Sequence, residues 1–281
     1  MEGLYNVWKN NTPVGSTNLS ITGNSVAGIR TAFQIPQWKI QLDAGHQSFN
    51  KISDIFITHS HADHVASLPL IILENISDKI TTNIYCPKES KCLIEGMIKS
   101  FLMCNYNSSR VPTHYYNVIG LDPKYLLELV LNKQTVIIKS FYSDHTVATL
   151  SYGFIEKKKK LKDEFKGLCG KDIVELKSQG VEINSQIEHK RFVFCGDTSI
   201  HIFTLNPDIL TFDNIVIECT FFDEIDLKLA KDRKHMHWLQ LKPIISDNLH
   251  INFYLIHISA KYHDTEYLKN IISEFENVFI L

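Results

Sequence analysis

The chain has 281 residues, of which 44% are hydrophobic, and this composition predicts a globular protein with a substantial core. It carries 29 Lys and Arg against 31 Asp and Glu, so its formal net charge is −2, which excludes a uniformly basic nucleic-acid-binding protein but not a local basic patch. No apolar run approaches the roughly 20 residues of a membrane span, and the polar first eleven residues lack the pattern of a secretory signal. The six scattered cysteines contain no C-x-x-C pair. We therefore expect no membrane association, and reduced thiols in the cytoplasm or another reducing compartment.

Short apolar segments separated by turns dominate the first half of the chain, and they predict strands at 31–36, 38–43, 52–58 and 81–86. The mostly apolar segment 65–73 predicts a buried helix, and 89–100 has the spacing of an amphipathic helix.

The second half repeats this alternation, with strands predicted at 135–142, 148–156, 191–195, 214–218 and 250–256. Helices are predicted at 172–179 and 265–273, and the most polar stretch of the chain lies at 157–166. The strands form two groups with irregularly placed helices. This arrangement favours a mixed α/β sandwich of sheets flanked by helices over a regular doubly wound sheet.

A cluster of histidines follows the predicted strand 52–58, in the sequence Thr58-His59-Ser60-His61-Ala62-Asp63-His64. In a sharp strand-to-helix turn, His59 and His61 point the same way, while Asp63 and His64 can face a neighbouring point. Imidazole nitrogens and carboxylate oxygens are ligands for zinc and similar divalent ions. The turn therefore predicts a metal site.

One turn cannot complete such a site, because zinc takes about four ligands. The remaining ligands must come from other strand ends, where side chains are held rigidly. Three candidates occupy such positions: His145, Asp197 and His257 each follow or end a predicted strand.

The order of these residues, from the His59-Ser60-His61-Ala62-Asp63-His64 motif through His145, Asp197 and His257, resembles that of the metallo-β-lactamase fold. More narrowly, the chain is similar to the ribonuclease Z family of tRNA 3′-processing endonucleases. The segments that carry the narrower resemblance are 25–33, 42–45, 160–165, 167–173, 177–183, 216–221 and 256–262.

The resemblance implies one metallo-β-lactamase-like domain over residues 1–281, built as a four-layer αββα sandwich with two zinc ions. His59, His61 and His145 would hold one ion. Asp63, His64 and His257 would hold the other, and Asp197 would bridge them. The resemblance also implies precursor tRNA as the substrate and a homodimer as the assembly.

Hydrolysis of a phosphodiester requires an activated water and an acid for the departing ribose oxygen. Asp63 can contact a metal and also align the water. Glu218 and His235 are the candidates for the acid, since a carboxylate beside an imidazole raises the pKa of the imidazole and fixes its tautomer. The same Glu–His relay is what the resemblance implies. His237 remains an alternative proton donor.

The chain departs from the ribonuclease Z pattern at its basic residues. The interval between His145 and Asp197 has no Gly/Pro-rich segment of the kind that grips tRNA in many members of the family. It contains instead a run of four lysines that begins with Lys157 and Lys158. These two lysines are expected either to contact RNA phosphates or to lie on a solvated helix face. Lys261, where the family usually has Arg, is expected to contact substrate without a bidentate fork.

Two other functions remain open at this point. A phosphodiesterase acting on small or cyclic nucleotides, or on other RNA, is favoured by the near-neutral charge and the missing arm. A metal-stabilised binding subunit without catalysis is disfavoured by the complete ligand set. The pair Glu218 and His235 favours tRNA processing.

Overall fold

The computed structural model describes residues 8, 11–47, 51–262 and 265–281. Two seven-stranded mixed sheets form its centre, in the orders β1-β2-β3-β4-β5-β6-β7 and β14-β13-β12-β11-β10-β9-β8. The strands of the first sheet are β1 Thr12–Pro13, β2 Ser20–Val26, β3 Arg30–Ile35, β4 Ile40–Leu42, β5 Asp54–Phe56, β6 Thr82–Pro87 and β7 Tyr116–Leu121. Those of the second are β8 Leu126–Leu131, β9 Gln134–Tyr142, β10 Leu150–Leu161, β11 Asn184–Phe194, β12 Asn214–Glu218, β13 Asn252–Ile256 and β14 Val278–Ile280.

Each sheet has an antiparallel half and a parallel half. Strands β1 to β4 are antiparallel and β4 to β7 are parallel, whereas β8 to β11 are antiparallel and β11 to β14 are parallel. The carboxyl ends of parallel strands in a sheet lie at one edge, so the loops that leave them are neighbours.

Helices cover the outer faces of both sheets, with one exception. They are α1 Ala62–Val65, α2 Leu68–Ser77, α3 Lys91–Tyr106, α4 Gly170–Ser178, α5 Ile202–Leu205, α6 Leu227–Arg233, α7 Trp238–Asp247 and α8 Thr265–Ile272. The exception is α4, which has no buried residue. Among the described residues, no helix combines the length and the apolar character needed to cross a bilayer.

Three hydrophobic clusters define the four layers. The central cluster lies between the sheets, where the Trp38 ring stacks on Phe192 at 5.9 Å and Phe33 meets Phe194 edge-on at 6.1 Å. A second cluster joins the first sheet to α2 and α3, and a third joins the second sheet to α5, α7 and α8. The predicted αββα sandwich is therefore confirmed.

Most of the predicted elements are present, with two corrections. The single helix predicted at 65–73 is wrong, because α1 ends at Val65 and α2 begins at Leu68. Pro69 lies in the first turn of α2, where its missing N–H and fixed φ start a helix rather than continue one. The sequence prediction also omitted the strands β1, β2, β7, β8 and β14 and the helices α5 and α7, although 25–33 was matched to strands by resemblance.

The four-lysine run lies in a strand and not on a helix, so the solvated-helix interpretation is wrong. Strands β10 and β11 pair from Tyr152 to Leu161, whereas β9 accompanies β10 only as far as Lys157. Beyond that residue the two strands project as a hairpin, and α4 lies on the connection between them. Both faces of an exposed hairpin contact solvent, so polar residues occupy both faces and the usual alternation of polar and apolar residues is lost. In sequence, such a strand therefore resembles a polar loop.

A glycine anchors the histidine-rich turn to the first sheet. The N–H of Gly45 donates to Thr31 O at 2.9 Å, and the N–H of the preceding Ala44 donates to His64 O at 2.7 Å. A Cβ at Gly45 would overlap the backbone carbonyl of Asp63. Close backbone approach therefore requires glycine here.

We expect Gly45→Ala to destabilise the protein by about 1–3 kcal/mol, because backbone must move to admit the methyl group. Gly96→Ala is the matched control: Gly96 lies inside α3 with open space around its Cα, so this change should be neutral or stabilising by up to about 1 kcal/mol. Urea unfolding followed by tryptophan fluorescence measures both. A Gly45→Ala protein as stable as the parent would show that the close contact is unimportant.

Candidate metal centre

The 58–64 turn follows β5 and is fixed by a buried carboxylate. Asp43 accepts hydrogen bonds from the backbone N–H of Thr58 at 2.7 Å and from Nδ1 of His64 at 2.8 Å. The turn is also tied to the second sheet, since Leu150 N–H donates to Thr58 O at 2.9 Å. Within the turn, His59 Nε2 lies 3.0 Å from His61 Nδ1.

Three strands of the second sheet deliver the remaining candidates to this turn. His145 follows β9, Asp197 follows β11 and His257 follows β13. The chain turns sharply at two of these ends, with φ of +52° at Gly196 and +56° at His257. A glycine is suited to the first position because it adopts positive φ without steric cost.

The structure brings all seven predicted metal ligands together. Their potential ligand atoms form groups within 4.8 Å of one another: His59, His61, His145 and Asp197 in one group, and Asp63, His64 and His257 in another. Asp197 lies between the groups, with its Oδ2 3.7 Å from His59 Nε2 and 3.3 Å from His257 Nε2.

The donor atoms fit divalent cations. Ligands about 2.0–2.2 Å from a tetrahedral ion lie about 3.4 Å apart, and His145 Nε2 lies 3.4 Å from His61 Nδ1. His64 Nε2 and Asp197 Oδ1 are fully buried and have no hydrogen-bond partner among the described residues, although they lie 3.3 Å apart. Such orphaned atoms are costly unless something else satisfies them, and a cation between them would do so.

Hydrogen bonds orient the histidine rings toward the cluster. Nδ1 of His145 donates to Lys234 O at 3.2 Å, and Nδ1 of His257 lies 3.1 Å from Thr220 Oγ1. His64 is held in the same way by Asp43. Each of these contacts engages Nδ1 and leaves Nε2 directed at the cluster. Hydrogen bonds of this kind fix the orientation and the tautomer of histidine ligands at metal sites.

The protonation states of most ligands suit metal binding. Burial lowers the pKa of His59 well below its ordinary value, and it also lowers the pKa of His61 and His145. These rings are therefore neutral, the form that binds metal. Burial alone would raise the pKa of Asp197, but the surrounding histidines, His257 foremost, hold that pKa well below its ordinary value.

His64 is the exception among the ligands. Burial disfavours its imidazolium, but Asp197 and Asp43 outweigh burial and raise the pKa of this ring well above its ordinary value. His64 must therefore lose a proton when a cation binds.

Asp43 was not identified as a site residue from the sequence, although it belongs to the 42–45 segment that carries the family resemblance. It is fully buried and contacts both Thr58 and His64. An aspartate that follows a buried strand, two residues before a glycine, is a signal that could have been used.

Glu218 and His235 form the pair that the sequence predicts. His235 Nδ1 lies 2.9 Å from Glu218 Oε1, and this carboxylate also accepts from the N–H of Thr198 at 2.7 Å and of Met236 at 3.1 Å. Burial disfavours the imidazolium, but the Glu218 carboxylate outweighs burial and raises the pKa of His235 to about 9. His235 is therefore protonated at neutral pH.

His237 has a structural position. It is the N-cap of α7, where its Nδ1 accepts from the N–H of Leu239 at 3.1 Å and its Nε2 donates to Asp223 O at 2.9 Å. Both ring nitrogens are therefore engaged, and the ring is fully buried. This arrangement disfavours His237 as the proton donor.

A cavity of about 380 Å³ opens beside the cluster. His61, Asp63 and His235 line it, and Lys261 does so as well. Lys261 is ion-paired with Asp226 and lies close to Tyr262, so its ammonium is already engaged.

Lys157 and Lys158 lie away from the cavity. Lys157 is seven residues along β10 from Leu150, which is roughly 23 Å at the rise of a strand. Lys157 Nζ lies 2.5 Å from Glu128 Oε2, and Lys158 Nζ lies 3.4 Å from Glu156 Oε2.

Comparison with known proteins supports the same interpretation. The chain is 29% identical to tRNase Z TRZ1 of Arabidopsis thaliana over 250 residues, which cover 86% of each chain. It is 28% identical to Ribonuclease Z of Methanococcus maripaludis strain C7 over 254 residues, 80% of this chain and 76% of that protein. This chain resembles ribonuclease Z along most of its length. No family model matches the sequence.

Solved structures share the fold at lower identity. The metallo-beta-lactamase fold protein YhfI of Bacillus subtilis superposes with a TM-score of 0.58 at 16% identity, covering 92% of this chain and 93% of that one. Human tRNase Z, short form, gives a TM-score of 0.57 at 15% identity, covering 92% and 94%. The fold is the metallo-β-lactamase fold.

We expect Asp43→Asn to weaken zinc binding by about 10- to 100-fold, because the amide cannot replace the carboxylate that orients His64. Competition with a chromophoric chelator measures the affinity. Asp122→Asn removes an exposed carboxylate that pairs with Lys88, so this control should bind zinc as the parent does. Equal affinities in both variants would contradict the proposed positioning by Asp43.

In the metal-free protein, we expect the His235 imidazole to titrate near pH 9, and Glu218→Gln to lower this pKa, because burial is then opposed only by the smaller effects of Asp197 and Asp63. Histidine NMR titration measures both values. Glu224→Gln, which removes an exposed carboxylate nearby, is the control. The pKa of His235 is higher in the folded protein than in the unfolded chain. The contribution of this pair to the free energy of unfolding should therefore be complete below about pH 6.5 and disappear as the pH rises through about 9. If the pKa of His235 were the same in Glu218→Gln as in the parent, Glu218 would not be the group that sets it.

Proposed function

We propose that residues 1–281 act as one metallo-β-lactamase-like domain that removes the 3′ trailer from precursor tRNA. In this proposal the chain is a metal-dependent endoribonuclease that hydrolyses a phosphodiester bond and leaves a 3′-hydroxyl on the tRNA. The observation that carries the proposal is the convergence of seven metal-competent side chains beside the Glu218–His235 pair. The similarity to proteins named tRNase Z and Ribonuclease Z supports it.

The proposed cofactor is a pair of zinc ions. His59, His61 and His145 would hold one ion, and Asp63, His64 and His257 the other, with Asp197 shared between them. The unsatisfied His64 Nε2 and Asp197 Oδ1 support this assignment. When bound, two such ions lower the pKa of water and neutralise charge on phosphate oxygens.

Asp63 is positioned to orient the attacking water. Its Oδ2 accepts from the N–H of Gly28 at 2.9 Å and lies 3.2 Å from His257 Nε2. These contacts fix the carboxylate at the wall of the cavity. Its other oxygen can then accept a hydrogen bond from water and align it for in-line attack.

His235 would supply the proton that the departing 3′ oxygen needs. Its Nδ1 is held by Glu218, so Nε2 is the nitrogen available at the cavity. A protonated imidazole in this position acts as the general acid, and Glu218 retains the compensating negative charge. Glu218 is a positioning residue in this scheme, because it acts through His235.

Three lysines complete the proposed substrate contacts. Lys261 lines the cavity and would contact RNA after exchanging its bond to Asp226. Lys157 and Lys158 lie near the base of the projecting hairpin, where they would add electrostatic affinity for RNA far from the cleaved bond.

We also propose that the chain forms a homodimer and works in a reducing compartment. The free state of all six cysteines is consistent with such a compartment. Light scattering of the purified protein measures the assembly, and a mass of one chain at micromolar concentration would exclude the dimer.

The activity is tested by incubating the purified protein with a precursor tRNA that carries a 3′ trailer and, separately, with a cyclic nucleotide. We expect cleavage after the discriminator nucleotide, loss of cleavage with a chelator and recovery with zinc. Turnover of the cyclic nucleotide alone would identify a phosphodiesterase. Binding of precursor tRNA without any cleavage would identify a binding subunit.

We expect His235→Ala to lower kcat for precursor tRNA by about 10²–10⁴-fold, the usual contribution of a general acid, while zinc content stays at the parental value. His250→Ala is the matched control, because His250 is exposed and precedes β13, at the opposite end of that strand from His257. Near-parental turnover in His235→Ala would remove His235 from the mechanism.

A further inference from the structure

Helix α6 presents an apolar side chain and a cation to the cavity. Leu229 and Arg233 are four residues apart, so they lie on one face of α6, and both line the cavity that contains His61, Asp63 and His235. Leu229 is 36% exposed, so its side chain is accessible to a ligand in the cavity.

Arg233 is a second cation that this cavity can offer to an anion, besides the imidazolium that the proposed function uses as the acid. Two long cationic side chains line the cavity, Lys261 and Arg233. Lys261 is engaged with Asp226, and its Nζ also lies 3.7 Å from Asp223 Oδ2. Within the described residues, Arg233 forms no ion pair with a carboxylate, and its side chain is exposed. A guanidinium in this state can bind a phosphate through two parallel hydrogen bonds.

The end of α6 is held in a fixed position relative to His235. The N–H of His235 donates to Ala230 O at 2.8 Å, and the intervening Lys234 adopts a left-handed conformation with φ of +53°. Lys234 Nζ forms an ion pair with Asp144 Oδ1 at 2.8 Å, in the loop that carries His145. These contacts tether the short segment that carries both Arg233 and His235, and both residues line the same cavity.

We propose that Leu229 and Arg233 form a binding subsite for the nucleotide on the 5′ side of the cleaved bond. The inference rests on the proposed function, in which His235 gives a proton to the 3′ oxygen of that nucleotide. Arg233 binds the phosphate that precedes the cleaved one, and Leu229 packs against the sugar and base. The subsite takes a single-stranded ribonucleotide without choosing its base, because neither side chain reads base edges.

The two products of cleavage allow binding on the 5′ side of the bond to be measured separately from binding on the 3′ side. The first probe is an acceptor-stem microhelix that ends with the discriminator nucleotide and a 3′-hydroxyl. The second is a trailer oligonucleotide with a 5′-phosphate. Neither can be cut at the original bond, so fluorescence anisotropy on the zinc-loaded protein reports binding alone.

We expect Arg233→Gln to weaken microhelix binding about tenfold, the loss typical of one hydrogen bond to a charged group, and to reduce the slope of log K against log salt by roughly 1. Trailer binding should not change. Leu229→Ser should weaken microhelix binding without changing the salt slope. Lys231→Gln is the matched control, because Lys231 is an exposed cation on the opposite face of α6.

An Arg233→Gln protein that binds the microhelix like the Lys231→Gln control, or that loses affinity for the trailer instead, would overturn the assignment. The zinc content of Arg233→Gln, measured by inductively coupled plasma mass spectrometry, should equal the parental value and shows that the metal centre is intact. A wild-type protein that binds both probes but leaves precursor tRNA uncut would refute the proposed function, whereas the microhelix measurement would still test the subsite.

Discussion

Ring nitrogens and carboxylate oxygens from four loops face one another at the edge of the sandwich, where water is largely excluded. Polar atoms buried in this way are costly unless each has a partner, and His64 Nε2 and Asp197 Oδ1 have none among the described residues. Neutral His59, His61 and His145 and an ionised Asp197 are the protonation states that a cation would require, and a bound cation would displace the proton that Asp43 and Asp197 favour on His64. The electrostatics of the cluster thus favour bound divalent ions, and the proposed hydrolysis depends on them.

The fold makes this convergence possible because the two sheets are arranged in the same way. Each has a parallel half, and the strands β5, β11 and β13 end at the same edge of the sandwich. The central aromatic cluster, with Trp38 against Phe192, fixes the two sheets relative to each other. Short hydrogen bonds then set the individual side chains. Asp43 holds the first turn, and Glu218 joins the loop of Thr198 to the segment of Met236. Ligands separated by nearly 200 residues therefore meet within hydrogen-bonding distance, as Asp63 and His257 do.

Much of this arrangement could be predicted from the sequence, for physical reasons that differ between elements. The 58–64 motif is informative because several ligand-type residues lie within one turn, and His145, Asp197 and His257 each follow an apolar strand. The break between α1 and α2 could have been predicted from Pro69, because a proline in the first turn starts a new helix. The hairpin of β10 and β11 could not be recognised, because an exposed two-stranded extension has no buried face to impose an apolar alternation. Asp43 was missed although its place after a buried strand was a usable signal, because its contacts with Thr58 and His64 appear only in the fold. Arg233 was missed because a single sequence does not show which cations line the cavity.

The central claim is that the converged side chains bind two divalent ions, and anomalous diffraction at the zinc edge from crystals of the zinc-loaded protein tests it most directly. The account predicts two peaks per chain, one bonded to His59, His61 and His145, the other to Asp63, His64 and His257, with Asp197 in contact with both. Fully active protein whose crystals show no anomalous density among these residues, even with excess zinc, would contradict it.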